Sequence, residues 1–427
     1  MNYKIVGCAL GLLCATSGLA QSPAQPQGKL ALLIPGIYGP TGLTLDNPDH
    51  HAHFTSSFQS NFAPFNAAMA RQLTSLPIPS PASGFTYTFD KELGVYTRTA
   101  RSLGPILAER AETIGKDKFV YGVSYQHFNF TSIDGVGLRD VPVVFTHAPT
   151  TNTEYIKDII TTNNFIDAEV GQTSGFFSYG LTNRVDLAVA VPILSVSMSA
   201  TSHAVIQRIG TGGDATIHTF GTSNGGLEQT FSNAGKASGI GDVLGRIKAT
   251  AFKWRSGGLA ALVDLRLPTG DEYNFLGSGA MGVRGSLAAS GQVGRLAPHV
   301  NVGYQWNGNS VLAGDVALGL KAKLPASVVY TAGADAGLTP KITLAADIFG
   351  ERVSASRVLA AQFNAANGVP YRAIGFQKSG YNVMSGSIGL KINPGSRFIV
   401  TVNTLFRLNH TGLRSKVVPL VGLSYTL

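Results

Sequence analysis

The sequence has almost no cysteine, little charge and no long unbroken hydrophobic run. Its only cysteines are Cys8 and Cys14. Both fall in the first twenty residues, "MNYKIVGCALGLLCATSGLA", where one cation, Lys4, precedes an apolar run from Ile5 to Leu13 and small residues at Gly18 and Ala20. That is the build of a secretory signal peptide, so residues 1–20 are expected to be removed on export. The mature chain then has no thiol chemistry, no disulfide framework and no cysteine-based metal site.

Charged residues make up 13% of the chain, against roughly 25% in an ordinary soluble domain, and 51 of the 427 residues are glycine. A surface cannot be covered with charge in the usual way on that supply, which points to a solvent other than water over part of it. The formal net charge of +9 becomes +8 when Lys4 leaves with the signal. The cations are scattered singly in an exported chain, so nucleic acid is not an expected partner. Anionic lipid head groups make better use of the excess.

After the signal, no 18-residue apolar stretch exists. The longest tract, "LAVAVPILSVSMSA" from Leu187, contains Pro192 and alternates. Helical spans are therefore excluded, and the remaining structure that satisfies every backbone group within a bilayer is a closed barrel.

What the sequence does have is a period of two. Val185, Leu187, Val189, Val191 and Ile193 alternate with Asp186, Ala188, Ala190 and Pro192. Ile342, Leu344, Ala346 and Ile348 alternate with Thr343, Ala345 and Asp347, and Phe398, Val400, Val402 and Phe406 with Ile399, Thr401, Asn403, Leu405 and Arg407. One face is continuous grease and the other holds small residues and isolated charges, as for strands between lipid and lumen. The last ten residues, "VPLVGLSYTL", keep this period to Leu427. Such an end is expected to close a barrel against the first strand.

Short turns near residues 181–184, 253–258, 291–298, 337–341 and 392–397 alternate with longer connections at 207–240, 269–279, 307–325, 355–380 and 409–415. This matches the inner turns and outer loops of a spanning barrel. The expected fold is all-β: a transmembrane antiparallel β-barrel of about 12 to 14 strands over residues 116–427, the higher number applying if a hairpin at 85–99 joins the wall. Residues 21–115 read differently, with Gly/Pro-rich text, a helix near Asn66 to Leu76 and a helical turn in "GPILAERAETIGK", and are expected to form an N-terminal plug or periplasmic segment.

Three motifs invite chemical readings. "GTSNG", Gly221 to Gly225, has the form of a hydrolase nucleophile elbow around Ser223, but lacks the strand before it and the helix after it. "GSGAMG", Gly277 to Gly282, has the GxGxxG form but strands on both sides, so no cofactor is expected. "HHAH" sets His50, His51 and His53 beside Asp46 and Asp49 without a fourth ligand at fixed spacing, so no metal is assigned. The lumen-facing candidates are Asp186, Asp264, Arg266, Asp347 and Arg407, read either as a solute path or as a salt-bridged lining.

The stretches "GFTYTFD", "GPILAERAETIGKDKF", "SYGLTNRVDLAVAVP", "RLPTGDEYN" and "PLVGLSYTL" resemble outer-membrane proteins grouped under the meta-pathway of phenol degradation. Those are distantly similar to the long-chain fatty acid transporter family. The resemblance implies a fourteen-strand barrel with a plug in the lumen and diffusion of hydrophobic molecules through it. The expectation is a non-enzymatic channel in the outer membrane of a Gram-negative-type bacterium, taking up small hydrophobic or aromatic compounds. Its partners would be outer-membrane lipid and lipopolysaccharide, the solute, and the barrel-assembly machinery through the C-terminal strand. The alternatives are a lipase-like enzyme and a purely structural or adhesive barrel.

Overall fold

The structure is a computed structural model that describes residues 28–38, 42–45, 54–55, 63–74, 87–90, 95–98, 102–147, 157–210, 217–221, 226–395 and 397–427. Residues 1–27, Ser223 and the cluster Asp46 to His53 lie outside them.

Twelve antiparallel strands close into a barrel: β1 (Phe119–Ile133), β2 (Ile159–Gly180), β3 (Val185–Gln207), β4 (Val243–Trp254), β5 (Gly257–Leu267), β6 (Gly282–Gly291), β7 (Leu296–Asn307), β8 (Ser327–Thr339), β9 (Ile342–Asn364), β10 (Pro370–Ile392), β11 (Phe398–Arg407) and β12 (Val417–Thr426). Each pairs with its chain neighbours, and β12 returns to β1 in the register Leu420↔Gln126 to Thr426↔Val120. The terminal residue is held as well, since Leu427 and Phe119 exchange backbone hydrogen bonds of 2.8 and 3.2 Å. Closure leaves no wall edge at the seam, which allows every backbone group there to be paired.

The end holding Phe119 and Leu427 carries the short turns and is called the lower end. The count is twelve, not the fourteen implied by resemblance. Tyr87–Asp90 and Val95–Arg98 do form a hairpin, but as a separate two-stranded sheet.

Alternation decides which way side chains face. Outward, Ile247, Val263, Leu287, Val300 and Ile348 are each about half exposed, while their inward neighbours Lys248, Leu262, Ala288, His299 and Asp347 are buried. Near the lower end the outward set becomes aromatic: Phe119 stacks on Tyr179 with centroids 5.0 Å apart, and Tyr425 meets both Phe398 at 4.7 Å and Tyr121 at 5.5 Å. An apolar band with an aromatic girdle is what hydrocarbon and its interface select on a barrel exterior.

Two expected loops are largely strand. In 207–240, residues Glu228–Ile240 pair with the upper part of β3, from Val205↔Glu228 to Ile193↔Ile240, and continue into β4 after a break at Gly241–Asp242. In 355–380, β9 and β10 run on as an unbroken hairpin to Asn364↔Pro370. Strands need only about ten residues to cross a bilayer, so these 23-residue strands rise beyond it. Above that height no lipid demands an apolar face, and the outward positions of β9 become polar, as at Arg352, Ser354 and Ser356. The 307–325 connection likewise holds a small hairpin, Asn309–Asp315 with Leu320–Lys323.

Described residues of the N-terminal part, among them 63–74 and 102–115, lie inside the ring. Among the described residues the one α-helix, α1 (Ala63–Thr74), overlaps the expected one and buries Phe65, Met69 and Ala70. The expected helical turn at 104–116 is absent. Its backbone is bonded to wall side chains instead: Leu103 N–H donates to Thr343 Oγ1 at 2.7 Å, Glu109 N–H to Asn301 Oδ1 at 2.8 Å, Ala111 N–H to Ser290 Oγ at 2.9 Å and Ile114 N–H to Asp186 Oδ2 at 3.0 Å. Partners supplied by the lumen remove the need for the i to i−4 bonds that make a helix.

Candidate functional site: the barrel lumen

The lumen divides by height. In the lower half, residues 102–115 are clamped to the wall by buried charge. Glu109 receives Arg246 Nη1 at 2.5 Å and Lys248 Nζ at 3.1 Å. Arg110 Nη2 lies 2.5 Å from Asp335 Oδ2, and Asp335 Oδ1 lies 3.6 Å from His299 Nδ1. Lys391 Nζ donates to the Pro105 carbonyl at 2.5 Å. Asp335 and His299 are fully enclosed, as is Lys248. Desolvating so many charges is costly, and pairs of this geometry are what make it tolerable.

Above this lies a cavity of about 270 Å³. Leu107 and Glu109 border it below, and the last turn of α1, Arg71 to Thr74, borders it above. Its sides are mixed: Phe128, Phe130, Leu194, Phe349 and Leu405 give apolar surface, and arginines from several strands give charge.

The five sequence candidates all point inward, but to different ends. Asp186 caps the Ile114 amide, and Asp347 Oδ1 lies 2.6 Å from His299 Nε2, so both belong to the lower clamp. Asp264 borders the cavity and bridges Arg246 at 2.6 Å and Arg284 at 2.7 Å. Arg266 also borders it, donating to Asn307 Oδ1 at 2.9 Å and facing Asp242 at 3.5 Å. Arg407 borders it higher up and donates to Ser132 Oγ at 3.1 Å.

Sequence reasoning missed Glu109 and Arg110, because a helical turn was expected there. It also missed Arg246, Arg284, His299 and Asp335, whose inward parity was readable from neighbouring outward residues such as Ile247, Val283 and Val300. Arg414 was missed because it stands in the connection 408–416, outside any strand with a legible period. It is 7% exposed and donates through Nη2 to the Met384 carbonyl at 2.6 Å and Ser385 Oγ at 2.7 Å, while its Nε has no partner. Burial, with the Arg407 and Arg71 cations nearby, lowers its pKa to about 10, so it stays charged at neutral pH.

The "GSGAMG" stretch lies between a short 3₁₀ turn, Glu272–Asn274, and β6. No βαβ unit surrounds it. Ser278 N–H and Oγ both donate to Asp242 Oδ2, at 2.8 and 2.6 Å, which ties this connection to the break before β4.

No family model matches the chain, and no curated protein matches it. Among solved structures it is similar to the NanC porin, at 7% identity and a TM-score of 0.35, over 72% of this chain and 100% of that one. It is similar to a Pseudomonas aeruginosa FadL homologue at 8% identity and a TM-score of 0.32, over 81% and 94%. The translocator domain of the autotransporter NalP from Neisseria meningitidis gives 12% identity and a TM-score of 0.27, over 73% and 88%. These are likenesses of overall build.

Proposed function

We propose that this chain is an outer-membrane channel of a Gram-negative-type bacterium that takes up small hydrophobic or aromatic compounds passively, with residues 21–115 acting as its plug. The observation that carries the reading is the exposed apolar band on a closed ring whose interior is charged and partly hollow. Grease on the outside of a ring has no use in water, since exposed apolar patches of that extent mark an interface. In lipid it is the required surface. Outer-membrane lipid and lipopolysaccharide would surround the ring, and the C-terminal strand would be presented to the assembly machinery. The resemblance to the phenol-degradation group supports an aromatic solute, and the aromatic and aliphatic side chains around the cavity suit one.

The test is uptake by vesicles. Liposomes holding the purified chain should pass benzyl alcohol or a similar small aromatic faster than protein-free liposomes. Equal rates would overturn the proposal. Ser223, the candidate nucleophile of a lipase-like role, lies outside the described residues.

A further inference from the structure

The outer face of β9 and β10 changes character at one level. Going up β9, the outward residues are Ile342, Leu344, Ala346 and Ile348, then Gly350, and then Arg352, Ser354 and Ser356. Going up β10, Leu390, Ile388 and Met384 give way to Asn382, Gly380 and Lys378. The two changes meet at the pair Arg352↔Asn382. From Ile342 to Arg352 is about 33 Å of strand, or about 25 Å of height once strand tilt is taken out, which is the height of the apolar band on a spanning barrel. Arg352 therefore stands where acyl chains end and head groups begin. Its lateral neighbours agree: Val328 pairs with Arg352 and Tyr304 with Val328, and both Tyr304 and Trp306 are exposed, as aromatic residues at the membrane interface are.

The cations at this level are not answered by the protein. Arg352 and Lys378 are exposed on the same face of paired strands, and the Arg352 guanidinium lies over Gly380, its Nη2 3.7 Å from where a Cβ there would stand. Lys378 is the next outward residue up that strand. On the flank, Lys323 Nζ lies 5.7 Å from the centre of the Trp306 ring. Among the described residues, none of the three forms an ion pair, because the acids of this sector are taken: Asp134 by Arg357 at 3.4 Å, Asp140 by Arg372 at 2.7 Å and Glu272 by Lys321 at 3.5 Å. Elsewhere on the rim exposed charges face one another, as Arg139 does Asp167 at 2.7 Å and His203 does Glu228 at 3.5 Å. Lys236 is exposed and unpaired too, but it stands alone, opposite Ser197. Two neighbouring cations repel, and a shared anion turns that cost into attraction.

We infer that Arg352 and Lys378, flanked by Lys323, hold the phosphates of one lipopolysaccharide molecule against β7–β10, with its acyl chains on the outward residues below, Val328, Ile348 and Ile388. A phosphate accepts a guanidinium fork and an ammonium together, and the Ser354 and Ser356 hydroxyls on the same face add donors. The apolar strip directly beneath selects an anion that carries hydrocarbon over a free one. Lipid in general surrounds the ring; this is one fixed seat on it. The inference rests on the apolar band lying in an outer membrane, and it is independent of what the lumen passes.

Binding is measured apart from transport. The full mature chain, delipidated in detergent, is titrated with fluorescent lipid A bearing both phosphates and with the same lipid stripped of them. The phosphorylated form should bind saturably and at least about tenfold more tightly, and millimolar inorganic phosphate should not displace it. Arg352→Gln combined with Lys378→Gln should weaken it by about tenfold or more, while Lys236→Gln should leave it unchanged. Should the double variant lose the heat-dependent gel shift of an intact barrel, the two single variants decide the matter, each weakening binding by about threefold or more. Equal affinity for the two lipids, full affinity in the altered proteins, or an equal loss in Lys236→Gln would each overturn the seat. Displacement by inorganic phosphate would overturn it as well, by showing a free-anion site. Vesicles that pass benzyl alcohol while the protein ignores the phosphates of lipid A would sink the seat and keep the channel. Selective lipid A binding without any solute flux would sink the channel and keep the seat.

Discussion

The lower and upper halves of the lumen use the same residue types to opposite ends. Below, Glu109 and Arg110 from the N-terminal segment meet Arg246, Lys248 and Asp335 from the wall, and the ring is filled and neutralised. Above, Arg407 and Arg414 border open space, and among the described residues neither forms an ion pair with a carboxylate. A charge that is paired by the protein holds the protein together. A charge left unpaired beside a cavity is available to something else. The lower half is therefore the part whose loss should damage closure and stability, and the upper half the part whose loss should leave them nearly unchanged.

The largest effect should come from removing the stopper. Deleting residues 102–115 takes away every hydrogen bond from that segment to the strands, and planar-bilayer recordings should change from a closed or rarely open state to steady conductance. A deletion that assembles, by the heat-dependent gel shift, but stays closed would show that another segment seals the lumen.

Next comes the clamp itself. Glu109→Ala strands Arg246 and Lys248 near each other in the interior with one acceptor fewer, and breaking a buried pair from one side costs about 3–5 kcal/mol. Urea unfolding in detergent should show a loss of that order.

Arg414→Gln should behave differently. It removes a buried cation that has no counter-ion among the described residues, so the change in unfolding free energy should stay within about 1 kcal/mol and can be favourable, because an uncompensated buried charge is itself a cost. If Glu109→Ala and Arg414→Gln destabilised equally, the contrast between the two halves would be wrong.

The smallest effect belongs to the pair outside the lumen. Arg139 lies 2.7 Å from Asp167 with both side chains mostly in solvent, so Arg139→Ala should cost less than about 1 kcal/mol in the same unfolding measurement.

Much of the wall was legible because a bilayer imposes a simple rule. Val185 to Ile193, Ile342 to Ile348 and Phe398 to Phe406 each face out where the period says they should, and the strand that ends at Leu427 closes against Phe119. Legibility stopped where the rule stops. Glu228–Ile240 and the upper parts of β9 and β10 are strands held by backbone pairing above the lipid, so they lack the apolar outward face that marks the strands lower down. The five lumen candidates were readable by parity, but their partners were not, because Asp264 meets Arg284 through the register of β5 with β6 and Asp186 meets Ile114 through a threaded segment, neither of which sequence spacing shows. Residues 104–116 carry helix-like text and yet form no helix, since the wall answers their backbone groups.

The most direct test of the account asks which face of a strand meets hydrocarbon. The chain from Gln21 onward has no cysteine, so single cysteines at Leu287 and Ala288 give two adjacent reporters, the first half exposed and the second fully enclosed. With a small environment-sensitive fluorophore attached and the protein placed in vesicles of brominated lipid, the label at 287 should be strongly quenched and the label at 288 spared. Equal quenching of the two, or none at either, would contradict a barrel whose outward residues lie in the membrane.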